Sequence, residues 1–180
     1  MACRLRHHVQ MLVRRECPDD VDAIRTVTTR AFDGMAYSSG SEPQLVEALR
    51  SDRGWIPALS LVAEVDGVVV GHVACTRATI SGQPALGLGP LSVDPPWQRR
   101  GVGSALMHAV LGAADALGEP IVVLLGNPAY YHRFGFRPAS EYGIDPPVRQ
   151  WASNFQARTL STYQADLRGS FEYAAPFADA

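Results

Sequence analysis

The sequence predicts an α/β fold built on a mixed sheet, and three observations lead to this class. Two apolar, β-rich runs within 58–80 meet at Asp66-Gly67, a dipeptide typical of a tight hairpin between antiparallel strands. A strand, a long helix and another strand follow over 85–125, which is the order of a crossover between parallel strands. The last strand, 120–126, is a continuous apolar run, as expected for a strand that is buried on both faces.

The first half of the chain supplies two helices before the hairpin. We predict a short strand over 11–16, because its start is apolar, and a helix over 18–32 that begins with Pro18 and three aspartates. A second helix follows over 42–52, with apolar residues at helical spacing.

The second half supplies the crossover and a less regular tail. After a strand within 82–93, the segment 102–118 has one apolar face and ends on Gly118, so it predicts a long helix. A short helix ended by Gly135 leads into a strand that begins near Phe136. Two further strands are predicted in the tail, at "NFQARTL" and "GSFEYA".

Composition limits the classes of function. The chain has 180 residues, of which 47% are hydrophobic and 19% charged, as is typical of one globular domain with a sizeable core. The formal net charge of −2 gives no general basic field, so we expect no nucleic-acid partner and only a local anion site. We predict a disordered extension over 1–10 and a single domain over 11–180, with a motif-bearing core over 11–140 and a tail over 141–180.

Cysteine and histidine usage indicates the compartment. Cys3, Cys17 and Cys75 lie far apart with no C-x-x-C pair, which favours a reducing environment. The five histidines show no metal-ligand spacing, so we expect no metal. No run approaches the roughly 18 apolar residues of a membrane helix, and the first residues lack a signal peptide. The sequence therefore predicts a cytoplasmic protein with no membrane partner.

An anion site is predicted where "PPWQRRGVGSAL" enters the long helix. A helix N-terminus has backbone N–H groups without partners and a partial positive charge. Gly101 and Gly103 leave room for a phosphate to approach the backbone, and Arg99 and Arg100 add positive charge beside it.

Three kinds of anion-binding loop compete for this segment. The triphosphate loop needs a lysine after its glycines, and the segment has none. The dinucleotide loop needs a third glycine where the chain has Leu106, and an acidic residue at the end of the next strand, which reads "PIVVLLGN". The third pattern is Gln/Arg-x-x-Gly-x-Gly/Ala after a strand and a Pro-containing turn, and "QRRGVG" fits it.

Several segments, in order, resemble the GNAT superfamily of N-acetyltransferases, of the bacterial single-domain type. "LGPLSVDPPWQRRGVGSAL" resembles the family's acetyl-CoA-binding motif along its whole length. "AEVDGVVVGHV" resembles its central hairpin, and "YYHRFGF" resembles its Tyr-x-x-x-Gly-Phe element. The resemblance covers 11–140 and leaves the tail without a matching motif.

The resemblance implies a mostly antiparallel central sheet with helices on both faces and one parallel strand pair that splays into a cleft. Acetyl-CoA, the cosubstrate, would lie there with its pantetheine along the backbone of Leu91, Ser92 and Val93. Asn127 would add a contact, although it stands only four residues before Tyr131, where the family often has about seven. The pyrophosphate would lie on the loop that enters the long helix, formed by Gln98, Arg99, Arg100, Gly101, Val102, Gly103 and Ser104.

The resemblance also implies direct attack of an amine on the thioester in a ternary complex. Tyr131 stands four residues before Gly135, the family's position for the tyrosine that protonates the leaving thiolate. Tyr130 points about 100° away around the helix, so we expect one of the two to face the sulfur. The backbone N–H of Val93 is the implied oxyanion donor.

The general base stays open at this level. Glu42 and Glu47 lie on the second helix, which often borders the acceptor site in this family, while Glu64 and His72 lie on the hairpin. His72 has a suitable intrinsic pKa, but its mid-strand position favours a core role. An ordered water is a further candidate relay.

We therefore predict an N-acetyltransferase that acts on a small-molecule amine or a peptide amine. Two alternatives remain: an acyl-CoA-binding sensor or pseudoenzyme without turnover, since no base is evident, and an NAD(P)-dependent oxidoreductase. Family members are often dimers, so a homodimer through the tail strands is an expectation as well.

Overall fold

The computed structural model describes residues 10–35 and 38–179. The extension predicted over 1–10 lies outside them, apart from Gln10. The described residues form one sheet in the order β1-β2-β3-β4-β5-β8-β6, with β9 beside β3 and β7 beside β9. Its strands are β1 (Met11–Arg15), β2 (Trp55–Val65), β3 (Val68–Ile80), β4 (Gln83–Val93), β5 (Ile121–Leu125), β6 (Arg137–Pro138), β7 (Ile144–Asp145), β8 (Phe155–Thr159) and β9 (Gly169–Glu172).

The predicted mixed, mostly antiparallel sheet is confirmed. β2 and β3 form the hairpin expected at Asp66-Gly67, where both residues have a positive φ. β3 pairs antiparallel with β4, and β4 pairs parallel with β5 across the predicted crossover. β5 also pairs antiparallel with β8, so this apolar strand has a neighbour on each side.

The parallel pair β4–β5 stays together only at its start. Its pairs are Leu86 with Val122 and Gly87 with Val123, after which the two strands diverge. The pairing of β4 with β3 shifts register in the same region, between Val73 and Cys75 of β3, which is the mark of a bulge. The splayed strand pair that the family resemblance implied is thereby confirmed, and we call the opening the β4–β5 wedge.

Helices cover both faces of the sheet. α1 (Val21–Phe32) and α2 (Glu42–Ser51) pack on one face, and α3 (Val102–Ala116) packs on the other. α4 (Pro128–Tyr131) is a single turn after β5. The main core lies between α3 and the sheet, where β-strand side chains meet the buried face of α3: Val102, Leu106, Met107, Val110, Leu111 and Ala114.

The helix predicted over 18–32 is divided in two. Pro18–Asp20 form a 3-10 turn, and the α-helix begins at Val21. The side chain of Asp20 accepts the backbone N–H of Cys17 at 2.8 Å and the guanidinium of Arg14 at 2.7 Å. These bonds hold the carboxylate in the tight first turn.

The predicted tail strands are confirmed as β8 and β9, and both join the sheet. β8 lies between β5 and β6, and β9 pairs with Thr79 and Ile80 of β3. A second apolar cluster forms beneath them on the face of α1 and α2, with Phe155 and Phe171 fully buried in it. The tail therefore completes the core of this face.

Candidate functional site

The loop between β4 and α3 presents backbone N–H groups at the mouth of the wedge. Arg99 and Gly101 have φ values of +59° and +88°, and α3 starts at the next residue. The first N–H groups of α3 have no carbonyl partner within the helix, which makes them available to an anion. The loop is held by Gln98, whose Nε2 donates to the Val93 carbonyl at 3.1 Å.

The two arginines of the loop have different surroundings. The guanidinium of Arg100 lies over the ring of Trp97, 5.4 Å from its centroid, so the tryptophan braces the loop. Both arginines are exposed, which fits mobile charges that assist a backbone site.

Leu91, Ser92 and Val93 form the part of β4 that borders the wedge. The hydroxyl of Ser92 is fully buried and donates to Thr28 Oγ1 of α1 at 3.1 Å. Its side chain is thus used to hold α1 against β4. The contact of this backbone with pantetheine stays a prediction.

Tyr130 and Tyr131 occupy two ends of the site. A Cβ atom placed on Gly103 would stand 2.6 Å from the Tyr130 hydroxyl, so Tyr130 reaches the start of α3. Tyr131 instead crowds the Cα of Gly126, just beyond β5, and meets Phe136 edge to face at 5.9 Å. Burial raises the pKa of Tyr130, although Arg133 acts in the opposite direction. The contact of Tyr130 with the start of α3 was not predicted from the sequence. The 100° offset between Tyr130 and Tyr131 around the helix was the signal that could have indicated different contacts for the two side chains.

Asn127 caps the short helix that carries the tyrosines. Its Oδ1 accepts the backbone N–H of Ala129 at 2.9 Å. The Asn127 side chain is thereby engaged at the N-terminus of α4. Its contact with the cofactor stays a prediction.

His72 and Glu64 do not face the wedge. His72 is fully buried, and its Nε2 lies 2.9 Å from Ser60 Oγ and 3.2 Å from Glu16 Oε2. Burial lowers the pKa of His72 and keeps it neutral in the core, while Glu16 acts in the opposite direction. Glu64 pairs with Arg14 of β1 at 2.9 Å, on the side of β2 away from β4.

Glu42 and Glu47 instead line a shared cavity. It has a volume of about 540 Å³ and lies between the end of α1 and the start of α2. Ser38 Oγ donates to Glu42 at 2.8 Å, and Arg25 pairs with Glu47 at 2.5 Å. Of the four candidate bases, these two line a cavity, beside the α1–α2 loop.

The tail contributes residues that the sequence did not assign. A Cβ atom on Gly87 would stand 2.7 Å from Tyr173, and one on Gly89 would stand 3.9 Å from Phe177. Both glycines belong to β4, on the side of the sheet that carries α1 and α2. No local pattern connects these distant segments, so only the folded chain brings them together.

Comparison with known proteins identifies the family. The model of the acetyltransferase (GNAT) domain matches residues 57–138. An N-acetyltransferase of Escherichia coli K12 that is described as uncharacterized, YjhQ, is 39% identical over 165 residues, 87% of this chain and 88% of that protein. The chain belongs to the GNAT acetyltransferase family. It is therefore an acyltransferase, as the sequence predicted.

Two solved relatives share the fold of this acetyltransferase. The E. coli GNAT family N-acetyltransferase YhbS, solved in complex with CoA, has a TM-score of 0.87 and 30% identity over 98% of this chain and 96% of its own. A GNAT family acetyltransferase from Brucella melitensis, solved with acetyl-CoA, has a TM-score of 0.79 and 36% identity over 94% and 99% of the two chains. The predicted fold class is confirmed.

Within 10–35 and 38–179, no three His, Cys, Asp or Glu side chains are grouped so as to hold a metal ion. None of the helices in this part of the chain has the length and apolar character needed to cross a membrane.

Proposed function

We propose that this acetyltransferase transfers the acetyl group of acetyl-CoA to a primary amine, by direct attack within a ternary complex. The β4–β5 wedge carries the proposal, because it opens beside the start of α3 and next to Tyr131. Two relatives of similar fold were solved with acetyl-CoA or CoA, which supports the same cosubstrate here. The free thiols of Cys17 and Cys75 agree with a cytoplasmic site of action.

Backbone groups would bind most of the cosubstrate. The pantetheine amides would pair with the wedge edge of β4, at Leu91, Ser92 and Val93. The pyrophosphate would lie on the loop over 98–104, whose N–H groups precede and begin α3. Arg99 and Arg100 would add positive charge from the solvent-exposed side of the loop.

The chemistry needs polarisation of the thioester and a proton for the leaving sulfur. The Val93 N–H is the proposed donor to the carbonyl oxygen as negative charge develops on it. Tyr131 is the proposed acid for the CoA thiolate, since a phenol retains its proton at neutral pH. His72 is buried in the core and Glu64 is paired with Arg14. The amine proton would therefore leave through water or to Glu42 or Glu47, which line the acceptor cavity.

The acceptor would enter from the face that carries α1 and α2. The 540 Å³ cavity there carries Asp33, Glu42 and Glu47, with Arg25 as the one basic lining residue among those described. This charge balance favours a cationic amine. The nicotinamide alternative is not retained, because the chain belongs to an acetyltransferase family and Leu106 is a fully buried core residue of α3.

The decisive test uses Tyr131→Phe and a panel of amines, with release of free CoA thiol as the readout. We expect kcat to fall by about 10²–10⁴-fold with unchanged acetyl-CoA affinity, because a general acid contributes on that scale. Full turnover by the variant would remove Tyr131 as the acid. If the unmodified protein binds acetyl-CoA but acetylates no amine, the sensor alternative replaces the enzyme.

A further inference from the structure

Two aromatic side chains of the tail cover β4 on the face from which the acceptor would enter. Carbons Cδ1 and Cε1 of Tyr173 would stand 2.7 and 3.0 Å from a Cβ atom on Gly87. Two residues further along β4, carbon Cε1 of Phe177 would stand 3.9 Å from a Cβ atom on Gly89. The two rings therefore occupy the space that side chains at these glycines would otherwise fill.

These glycines lie between the closed end of the β4–β5 wedge and the proposed pantetheine contact. Gly87 forms the last pair of β4 with β5, opposite Val123, so the wedge closes there. Leu91, where the pantetheine contact would begin, follows Gly89 by two residues, which is about 7 Å in an extended strand. The two rings thus lie over the stretch of β4 that separates the closed end from the cosubstrate.

Aromatic packing fixes both rings in place. The ring centroid of Tyr173 is 4.6 Å from that of Phe177 and 4.7 Å from that of Phe171, which is fully buried. Phe177 also packs with Leu45 and Leu49 of α2. Tyr173 and Phe177 are therefore anchored in the core beneath the tail and in α2, and we call this pair the aromatic wall.

The direction of the bound cosubstrate decides what would meet the aromatic wall. The pyrophosphate would lie at 98–104, beyond the end of β4, and the pantetheine along 91–93. The thioester end would therefore point back along β4, towards Gly89. An acetyl group ends one carbon beyond the thioester carbonyl, whereas each further methylene would bring a longer acyl chain closer to Phe177.

We propose that the aromatic wall sets the length of the acyl group, so that a short group fits in the wedge and a long one meets Phe177 and Tyr173. The inference rests on the proposed function, because it needs the acyl-CoA to lie in the wedge. A long chain that points towards the closed end would have to displace a ring that is packed against Phe171 or α2. Displacing side chains from a close-packed core is costly, so the wall rejects such a chain.

The strands beneath the aromatic wall carry only small groups near the rings. The Cβ atom of Ala78 on β3 stands 3.7 Å from the place of a Cβ atom on Gly87. Among residues 10–35 and 38–179, chain neighbours aside, Phe177 alone comes within 4 Å of a Cβ atom on Gly89. Removal of a ring would therefore leave an apolar space over the backbone of β4, which a longer acyl chain could fill.

The test is Phe177→Ala in the full chain, with the affinities for acetyl-CoA and octanoyl-CoA measured by isothermal titration calorimetry. This readout needs no acceptor amine. We expect the wild type to bind octanoyl-CoA no more tightly than acetyl-CoA. The variant should bind octanoyl-CoA at least about tenfold more tightly than the wild type does, because each methylene that is buried in the new space contributes about fourfold in affinity. Its affinity for acetyl-CoA should be unchanged.

Turnover gives a second readout. With an amine from the panel, the wild type should prefer acetyl-CoA over octanoyl-CoA by at least about 10²-fold in kcat/KM, and Phe177→Ala should reduce this preference to about tenfold or less. Phe177→Leu should give an intermediate preference, because leucine is shorter than a phenyl ring but keeps an apolar contact with Leu45 and Leu49. This second variant decides the question if Phe177→Ala does not fold.

Tyr163→Ala is the matched control, because it removes another aromatic side chain of the tail, one that meets Tyr142 edge to face at 5.9 Å. It should leave the chain-length preference of both readouts as in the wild type. Unchanged octanoyl-to-acetyl affinity ratios in the Phe177 variants would overturn the inference, as would a wild type that binds octanoyl-CoA more tightly than acetyl-CoA.

Failure of the proposed function gives a different pattern. If the wild type binds acetyl-CoA but acetylates no amine, the transferase proposal fails, and the calorimetry still decides on the aromatic wall. If the wild type binds neither acyl-CoA, the wedge is not the cosubstrate site, and both the proposed function and this inference are overturned.

Discussion

Gly101 and Gly103 stand two residues apart at the start of α3, and different constraints act on them. Gly101 has a φ of +88°, a conformation that side chains with a Cβ rarely adopt, although the space around it is open. Gly103 has ordinary helical geometry, but the Tyr130 hydroxyl occupies the place of its missing side chain. The sequence predicted both glycines in the phosphate loop for one shared reason, which is the room they leave for a phosphate to approach the backbone.

We expect Gly103→Val to nearly abolish acetyl-CoA binding, because the side chain would displace Tyr130 and cover the first N–H groups of α3. Arg99→Ala and Arg100→Ala should weaken binding only about two- to fivefold, since exposed charges contribute about 0.5–1 kcal/mol. Isothermal titration calorimetry with acetyl-CoA measures all three. Equal, small effects at these positions would mean that the phosphate lies elsewhere.

Gly112→Ala is the control for a glycine of the same helix. An added Cβ atom meets nothing within 4 Å at this exposed position. We expect the free energy of unfolding to rise by about 0.5–1 kcal/mol, with acetyl-CoA affinity unchanged.

Between elements, a buried polar cluster joins α2 to the sheet. Glu16 follows β1 and pairs with Arg50 of α2 at 2.5 Å, and it also contacts Ser60 of β2 and His72 of β3. Burial raises the pKa of Glu16, but the hydrogen bonds from His72, Arg50 and Ser60 outweigh it and lower the value to about 2. One carboxylate thus fixes three other elements.

We predict that this cluster makes stability depend on pH. The folded pKa of His72 lies below its ordinary value of 6.5, so only the unfolded chain binds the proton there as pH falls through that value. The free energy of unfolding should therefore fall as pH drops below 6.5, with a slope that approaches about 1.4 kcal/mol per pH unit as the unfolded imidazole becomes fully protonated. The contribution of Glu16 should persist until pH falls from its ordinary value of 4.5 towards 2.

Urea unfolding between pH 7.5 and 5.5 would measure this slope, with His72→Gln as the comparison. The variant should be less stable at pH 7.5 and should show a flatter slope. A wild-type slope no steeper than that of the variant would contradict the assignment to His72.

Local signals explain which elements the sequence could predict. The Asp66-Gly67 hairpin, the crossover and the start of α3 each depend on neighbouring residues, and all three are confirmed. The core role favoured for His72 could also be read from its mid-strand position, and the structure buries it fully. The division of the predicted 18–32 helix at Asp20 could not be read from local signals, because it depends on an ion pair with Arg14 of the preceding strand.

At the scale of the whole molecule, the tail shows why part of the site could not be predicted from the sequence. The sequence predicted strands at 154–160 and 169–174, but not that β8 would lie beside β5 or β9 beside β3. Pairings between distant segments leave no periodic pattern in either partner. The placement of Tyr173 on Gly87 follows from those pairings, so it became visible only in the fold.

We predict that a chain ending at residue 145 does not form a soluble, folded protein. It would lose β8 and β9, expose the edge of β5 and uncover the second apolar cluster, including Ile121 and Val123. Size-exclusion chromatography and circular dichroism of the truncated chain measure this loss. A chain lacking residues 1–9 serves as the control and should elute and melt as the full chain does; a well-folded truncated chain would contradict the role of the tail.

The wedge between β4 and β5 has a consequence for how this protein can change over time. Peptide groups are the same under every side chain, so recognition of pantetheine by the β4 backbone would tolerate many substitutions along that strand. Selection for cofactor capture would act on the shape that keeps the two strands apart. The side chains of α1, α2 and the tail would then be free to diverge towards new amines without loss of the acetyl donor.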